Sequence, residues 1–263
     1  MGILNVTPDS FSDSGNFLDP ETAIMHALNM VGEGADIIDV GGESTRPGSE
    51  RIEAREQKQR VLPIISALRK QLPENVIISI DTTLSEVAEA AVAEGAGMIN
   101  DVSAGRDDPD IVKIVSERDC PYIIMHMLGT PKTMQENPTY KDVVMEVRDF
   151  LLERAEDVQA GGIRRENIII DPGIGFGKTR EHNLKLVANL QKFVDTGYPV
   201  LLGTSRKRFM GSLCADVKPV QLTGATCATT ALGVVAGVRI FRVHDVRANR
   251  QAVDFARTLL KYH

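Results

Sequence analysis

MGILNVTPDSFSDSG (residues 1–15) carries the pattern that decides the fold. A short apolar run, residues 1–4, stops at Asn5, and residues 7–15 are almost all turn-forming. The same event recurs along the chain. GILN runs to Asn5, ADIIDV contains Asp39, VIISID ends at Asp81 and GMINDV contains Asn100. YIIMH then ends at His126, NIIID at Asp171, PVLLGTS at Ser205 and IFRVH at His244. Each run is short, rich in Ile and Val, and nearly continuous in apolar character. Parallel strands covered on both faces have that composition.

Helical patterns fill the intervals, over 20–33, 52–71, 85–94, 109–118, 140–160, 181–195, 219–236 and 247–261. Ala23, Ala27, Met30 and Val31 lie on one helical face, as do Val143, Val147, Phe150 and Leu151. Pro20, Pro109 and Pro219 stand where a first turn tolerates proline, and Gly34, Gly95 and Gly161 follow helical stretches as C-terminal glycines do. Eight strands alternating with eight helices predict an α/β fold, a single-domain (β/α)8 TIM barrel over 1–263, with a doubly wound open sheet as the runner-up. Function in such a barrel sits at the carboxyl ends of the strands. Asn5 then opens a ring of polar residues, and the turn-rich segment after it is the first loop of the rim.

Composition fits this reading. The chain has 263 residues, 43% hydrophobic, enough for one large core. The net charge of −6 argues against a nucleic-acid partner, since such proteins are more often basic. Three cysteines without a CxxC pair argue against a disulfide scaffold or zinc ribbon and suit a reducing compartment. No run has the ~18 apolar residues of a membrane span, and no signal peptide precedes the first strand. A soluble cytoplasmic protein, with no membrane partner, is the expectation.

The rim residues divide by chemistry. Asp81, Asn100 and Asp171 suit a heterocycle bearing several N–H donors and a carbonyl, because carboxylates accept and an amide does both. A metal site is the competing reading of the same residues, since Asp and Asn also bind Mg²⁺. Arg46, Lys207, Arg242 and His244 form a second, anion-binding group. Phosphate in barrels commonly lies at the loops after strands 7 and 8, where SRKRF and RVHDV fall. Arg242 and His244 are two apart in a strand and so share a face. The bland reading of RVHDV is an arginine paired with an acidic neighbour; that of Arg206 and Arg208 is a solvated basic loop, which is preferred for those two. DPGIGFGKT (171–179) matches neither a P-loop nor a dinucleotide fingerprint. Its glycines suggest backbone brought close to a flat ligand, with Phe176 free to pack on it. His126 reads as a hydrogen-bonded structural residue, and no nucleophile–base pair stands out. The residues together suggest departure of a phosphate or pyrophosphate group from a heterocyclic substrate.

GILNVTPDSFSDSG, IIDVGGESTRPG, SIDTT, MINDVS, DPGIGFGK, SRKRF and RVHDV, in this order, resemble the dihydropteroate synthase family over nearly the whole chain. The resemblance implies a transferase of folate biosynthesis. It would join 6-hydroxymethyl-7,8-dihydropterin diphosphate to p-aminobenzoate with loss of pyrophosphate, use Mg²⁺, form a homodimer and be a sulfonamide target. It further implies that Asp81, Asn100, Asp171 and Lys207 bind the pterin ring, with Met125 and Phe176 as apolar neighbours. Asn5, Arg242 and His244 match the diphosphate site, with Asn5 also facing Mg²⁺. Thr45, Arg46, Pro47 and Ser205 match the p-aminobenzoate side, and Phe11 and Asp13 the first loop. Asp171, Lys207, Arg242 and His244 are the expected catalytic set. Family members usually carry residues ahead of the first strand, whereas here Met1 aligns inside it. A pterin-dependent methyltransferase, expected to lack the anion-binding group, and a non-catalytic pterin-binding paralogue are the alternatives.

Overall fold

The computed structural model describes residues 1–7, 20–44, 48–214 and 216–262. Its strands are β1 (Gly2–Asn5), β2 (Ile37–Gly41), β3 (Ile77–Asp81), β4 (Met98–Asp101), β5 (Tyr122–Met125), β6 (Ile168–Asp171), β7 (Leu201–Leu202) and β8 (Ile240–Phe241). β1 to β6 pair in chain order, all parallel, and β7 pairs parallel with β8. Two bridges join these sheets into a ring. Ile170 of β6 pairs with Val200 just before β7, and Gly2 of β1 with Val243 just after β8. Ile3 N–H donates to the Val243 carbonyl at 3.0 Å and Val243 N–H to the Met1 carbonyl at 3.0 Å. A cyclic ladder without a free edge is a barrel, so the open-sheet alternative falls.

The helices are α1 (Pro20–Gly32), α2 (Ala54–Gln71), α3 (Ser85–Ala93), α4 (Asp110–Arg118), α5 (Val143–Ala160), α6 (Arg180–Ala188), α7 (Gln191–Val194), α8 (Arg208–Gly211), α9 (Thr223–Ala236) and α10 (Val246–Leu259). Most coincide with the expected spans within a few residues. The expected 181–195 helix breaks in two, because the Asn189 side-chain amide donates to the Lys185 carbonyl at 2.8 Å and caps α6 there. Pro219 opens a separate 3-10 turn (Pro219–Gln221) ahead of α9, and α8 is a short helix that periodicity did not show. Gly34 and Gly95 hold the left-handed conformation expected after α1 and α3. After α5 that role falls to Gly162 (φ 100°), whereas Gly161 has φ −76°.

Strand alternation explains both core layers. Ile37, Met98, Ile123, Ile169 and Leu201 point inward and pack with Ile77 and Ile240 at the floor of the barrel. Their neighbours Ile38, Ile78, Ile99, Ile124, Ile170 and Leu202 point outward into the layer beneath the helices, against such residues as Met30, Ile64, Ile111 and Leu151. Each such side chain contributes about 1.5–3 kcal/mol by leaving water. The same alternation carries the next inward positions, Asp39, Asn100, Met125, Asp171 and Arg242, above that apolar floor. Asp101, one residue past Asn100, points the other way and accepts from Tyr122 Oη at 2.7 Å beneath the helices.

Candidate active site

The inward positions converge on one cavity mouth because all eight strands run the same way. Arg242 lies at its centre. Its Nε donates to Asp39 Oδ2 at 2.6 Å and one terminal nitrogen, Nη2, donates to Asp81 Oδ2 at 2.6 Å. Asn100 Nδ2 donates to the same Asp39 oxygen at 3.1 Å. The acidic pairing of Arg242, the blander sequence reading, is therefore present, and it is built inside the rim. Burial pushes the Asp81 carboxyl upward, with Arg242 opposing and Asp39 adding to it. The two carboxylates hold the Arg242 guanidinium above its ordinary range despite burial.

Asp171 and Lys207 form the next sector. Asp171 Oδ1 accepts from the Gly173 N–H at 2.7 Å, and burial raises its pKa. Burial lowers Lys207 to about 8, against the pull of Asp171. The Lys207 ammonium stands 4.2 Å from the centre of the Phe176 ring. Its stem lies over Gly175, where an added Cβ would come within 3.1 Å of Lys207 Cδ. Phe176 packs on an apolar cluster of Val102, Met125, Met127 and Met134, a greasy wall beside the polar groups. Such a wall with convergent donors and acceptors suits a flat heterocycle.

His244 closes the anion side. Its backbone N–H donates to Ser205 Oγ at 3.1 Å, and that hydroxyl lies 2.9 Å from His244 Nδ1. A hydroxyl has one proton and two acceptor sites, so it either donates to Nδ1, leaving the ring proton on Nε2, or accepts from an Nδ1–H. Burial, with Arg206 and Arg242 adding to it, lowers His244 to about 3. His244 thus offers a neutral N–H donor rather than a positive charge. Ser205, expected beside p-aminobenzoate, is the hydrogen-bond partner of its Nδ1. Arg206 grips Asp245 through Nε at 3.1 Å and Nη2 at 2.7 Å and so ties the loop after β7 to α10, a structural role.

The loop after β6 is fixed by a pair the sequence reading did not assemble. Lys178 is buried, and its Nζ meets His126 Nδ1 at 2.8 Å, the Phe176 carbonyl at 2.9 Å and the His126 carbonyl at 3.3 Å. Burial pushes the Lys178 amine well below its ordinary range, with Asp171 opposing. Burial and Lys178 push His126 down to about 2, in keeping with its structural reading. The glycines of this loop bring backbone close to backbone, not only to a ligand. A Cβ on Gly173 would lie 1.9 Å from the His126 carbonyl oxygen, and one on Gly177 2.5 Å from that of Leu128.

Asn5 sits on the far side of Gly41 from Asp81. A Cβ on Gly41 would lie 3.7 Å from Asn5 Oδ1 and 3.6 Å from Asp81 Oδ2, so the missing side chain leaves these oxygens facing one space. Among the described residues no group of three or more His, Cys, Asp and Glu side chains could hold a metal. Mg²⁺ commonly takes one or two protein oxygens and completes its shell with water and substrate phosphates, which this pair fits.

The structure therefore brings together Asn5, Asp81, Asn100, Met125, Asp171, Phe176, Ser205, Lys207, Arg242 and His244. Phe11, Asp13, Thr45, Arg46 and Pro47 lie outside the described residues. Asp39 and Lys178 were missed as site residues. For Asp39 the signal was available: a charge in the middle of a doubly covered strand needs a buried cation.

Fold and rim define an enzyme built to hold a heterocycle beside an anion. The model of the family described as pterin binding enzyme matches residues 1–244. A dihydropteroate synthase of Synechocystis sp. is 44% identical over 98% of this chain and 89% of its own. The mitochondrial folate synthesis bifunctional protein of Arabidopsis thaliana is 43% identical over 99% of this chain, which spans 49% of that longer protein. A solved structure of Xanthomonas albilineans dihydropteroate synthase with 4-aminobenzoic acid superposes with a TM-score of 0.91 at 42% identity, covering 98% of this chain and 92% of that one. The chain belongs to the dihydropteroate synthase family of pterin-binding enzymes.

Proposed function

We propose that the chain, acting as one barrel over 1–263, joins 6-hydroxymethyl-7,8-dihydropterin diphosphate to p-aminobenzoate, giving 7,8-dihydropteroate and pyrophosphate. The observation that carries this reading is the placement of Asp81, Asn100, Asp171 and Lys207 around the Met125–Phe176 wall, directly beside Arg242 and His244. The methyltransferase alternative has no use for that anion side. The binding of 4-aminobenzoic acid by the Xanthomonas relative supports the second substrate.

The pterin edge would donate ring and amino N–H groups to Asp81 and Asp171, and Lys207 would donate to its carbonyl. The methylene C–O bond breaks with its electron pair leaving on pyrophosphate. Arg242, through its remaining N–H groups, and the Nε2–H of His244 meet that growing charge. The ring cation left behind is stabilised by the carboxylates at its N–H edge. The amine of p-aminobenzoate, neutral near pH 7, supplies the lone pair for the new C–N bond. Its surplus proton passes to solvent or to the departing pyrophosphate. No strong base is required, and the histidines of the site, being neutral and hydrogen-bonded, are not poised as one.

Asn5, with Asp81 across Gly41, would hold Mg²⁺. When bound, the ion supplies charge neutralisation for the diphosphate. Thr45, Arg46, Pro47, Phe11 and Asp13 are assigned to the p-aminobenzoate side and its covering loop by the family resemblance. A homodimer is supported by Leu232 and Val235 on α9 and Phe255 and Leu259 on α10, all large, apolar and exposed; sedimentation velocity measures it. No described helix is long and apolar enough to cross a membrane, and three free thiols suit the cytosol. Chromatographic detection of dihydropteroate, formed by purified protein and suppressed by a sulfonamide competing with p-aminobenzoate, tests the assignment. Folded protein that binds the pterin but forms no product would support the binding-only paralogue instead.

A further inference from the structure

Asp39 is fully buried and belongs to neither substrate group, yet both meet in it. One oxygen, Oδ2, accepts from Arg242 Nε at 2.6 Å and from Asn100 Nδ2 at 3.1 Å. The other, Oδ1, has no hydrogen-bond partner among the described residues, and neither does the buried Oγ of Ser79, its register neighbour on β3. A buried carboxylate with an orphaned oxygen is costly to the fold, which makes stability a poor reason for it. Its consequences at the rim are specific. A carboxylate only accepts, so the Asn100 amide must turn its Nδ2 downward and leave its oxygen toward the ligand. Holding Arg242 by Nε, with Nη2 on Asp81, leaves Nη1 to face a ligand at the rim.

We infer that Asp39 is a positioning residue that presets both halves of the site: the sense of the Asn100 amide for the pterin ring and the aim of Arg242 for the diphosphate. The inference rests on the proposed function. It requires an acceptor at the Asp39 Oδ2 position and not simply a negative charge in the barrel. Asp39→Asn keeps an acceptor there and can turn its NH₂ toward Ser79. Asp39→Glu keeps the charge but displaces the oxygens by a methylene. Asp39→Ala removes both.

The test is calorimetric titration of wild type and the three variants with 6-hydroxymethylpterin and, separately, with inorganic pyrophosphate in magnesium buffer, alongside thermal melts. The expected order is Asp39→Asn within tenfold of wild type for both probes, and Asp39→Glu and Asp39→Ala at least thirtyfold weaker for both. A merely structural Asp39 would lower the melting temperature and leave both affinities unchanged in folded protein, which overturns the inference. So does a ranking in which Asp39→Glu binds better than Asp39→Asn. Should the Ala and Glu variants not fold, a loss beyond tenfold in Asp39→Asn still overturns it. Wild type that binds neither probe removes the proposed function, and the inference with it; wild type that binds both while Asp39→Ala binds equally well removes the inference alone.

Discussion

Arg242 Nη2 and Asp81 Oδ2 are 2.6 Å apart across the barrel mouth, joining residues separated by 161 positions in the chain. The cation proposed for the diphosphate side is therefore bound to a carboxylate proposed for the pterin side. Arg242→Ala removes a transition-state contact of about 2–4 kcal/mol by comparison with lost oxyanion donors, so kcat/KM should fall roughly 30- to 1,000-fold. It also leaves Asp39 and Asp81 without their cation, so stability should fall, by about 3–5 kcal/mol. Steady-state kinetics below the lowered melting temperature check the first figure and urea titration the second.

Lys207, in its proposed role, should limit activity on the alkaline side. Its pKa is lowered to about 8 by burial, and only the ammonium donates to a ring carbonyl with full charge. The ammonium fraction is complete below that value and is lost as pH rises through it. kcat/KM should decline above about pH 8, and Lys207→Met, with lower activity throughout, should lack that decline. A wild-type profile flat to pH 10 would contradict the role.

His126 and His244 should stay neutral through the physiological range, their pKa values being lowered to about 2 and about 3. At these two histidines the unfolded chain binds more protons than the folded one below pH 6.5, whereas Asp81, raised to about 7 by burial, binds its proton more tightly in the folded chain and opposes them. The histidine contribution to stability is complete above pH 6.5 and falls as pH drops toward the folded pKa values, by at most about 1.4 kcal/mol per pH unit for each histidine. His126→Asn retains an acceptor for Lys178 and should flatten this limb by about one proton. Urea midpoints between pH 4 and 7 measure it.

Two glycines should respond oppositely to alanine. Gly173 has φ +66° and its added Cβ would meet the His126 carbonyl oxygen at 1.9 Å, so Gly173→Ala should cost about 3 kcal/mol or more. Gly32, at the end of α1, has nothing within 4 Å of that position, so Gly32→Ala should be neutral or stabilising by about 0.4–1 kcal/mol. Thermal denaturation of both variants decides.

Particular residues show how much was legible beforehand. The barrel was, because β1 to β6 are apolar runs that each carry or lead into a polar residue, and Asn5, Asp81, Asn100 and Asp171 converge as that pattern requires. β7 and β8 were legible as runs, but their ladders are short, and closure rests on the bridges of Val200 and Val243, which no local pattern encodes. Pairings between distant strands were hidden for the same reason: Arg242 with Asp39 spans 203 positions, and Lys178 with His126 spans 52. The neutrality of His244 depends on its burial and on the nearby Arg206 and Arg242, an environment that no local motif states. Motifs name such residues without stating which partner determines their proton.

The most direct test of the central claim is pyrophosphate release by the purified protein, supplied with dihydropterin diphosphate and Mg²⁺, with and without p-aminobenzoate. The account predicts release that depends on p-aminobenzoate and matches dihydropteroate formed one for one. Folded protein that binds the pterin and releases no pyrophosphate, or releases it at the same rate without p-aminobenzoate and without forming dihydropteroate, would contradict it.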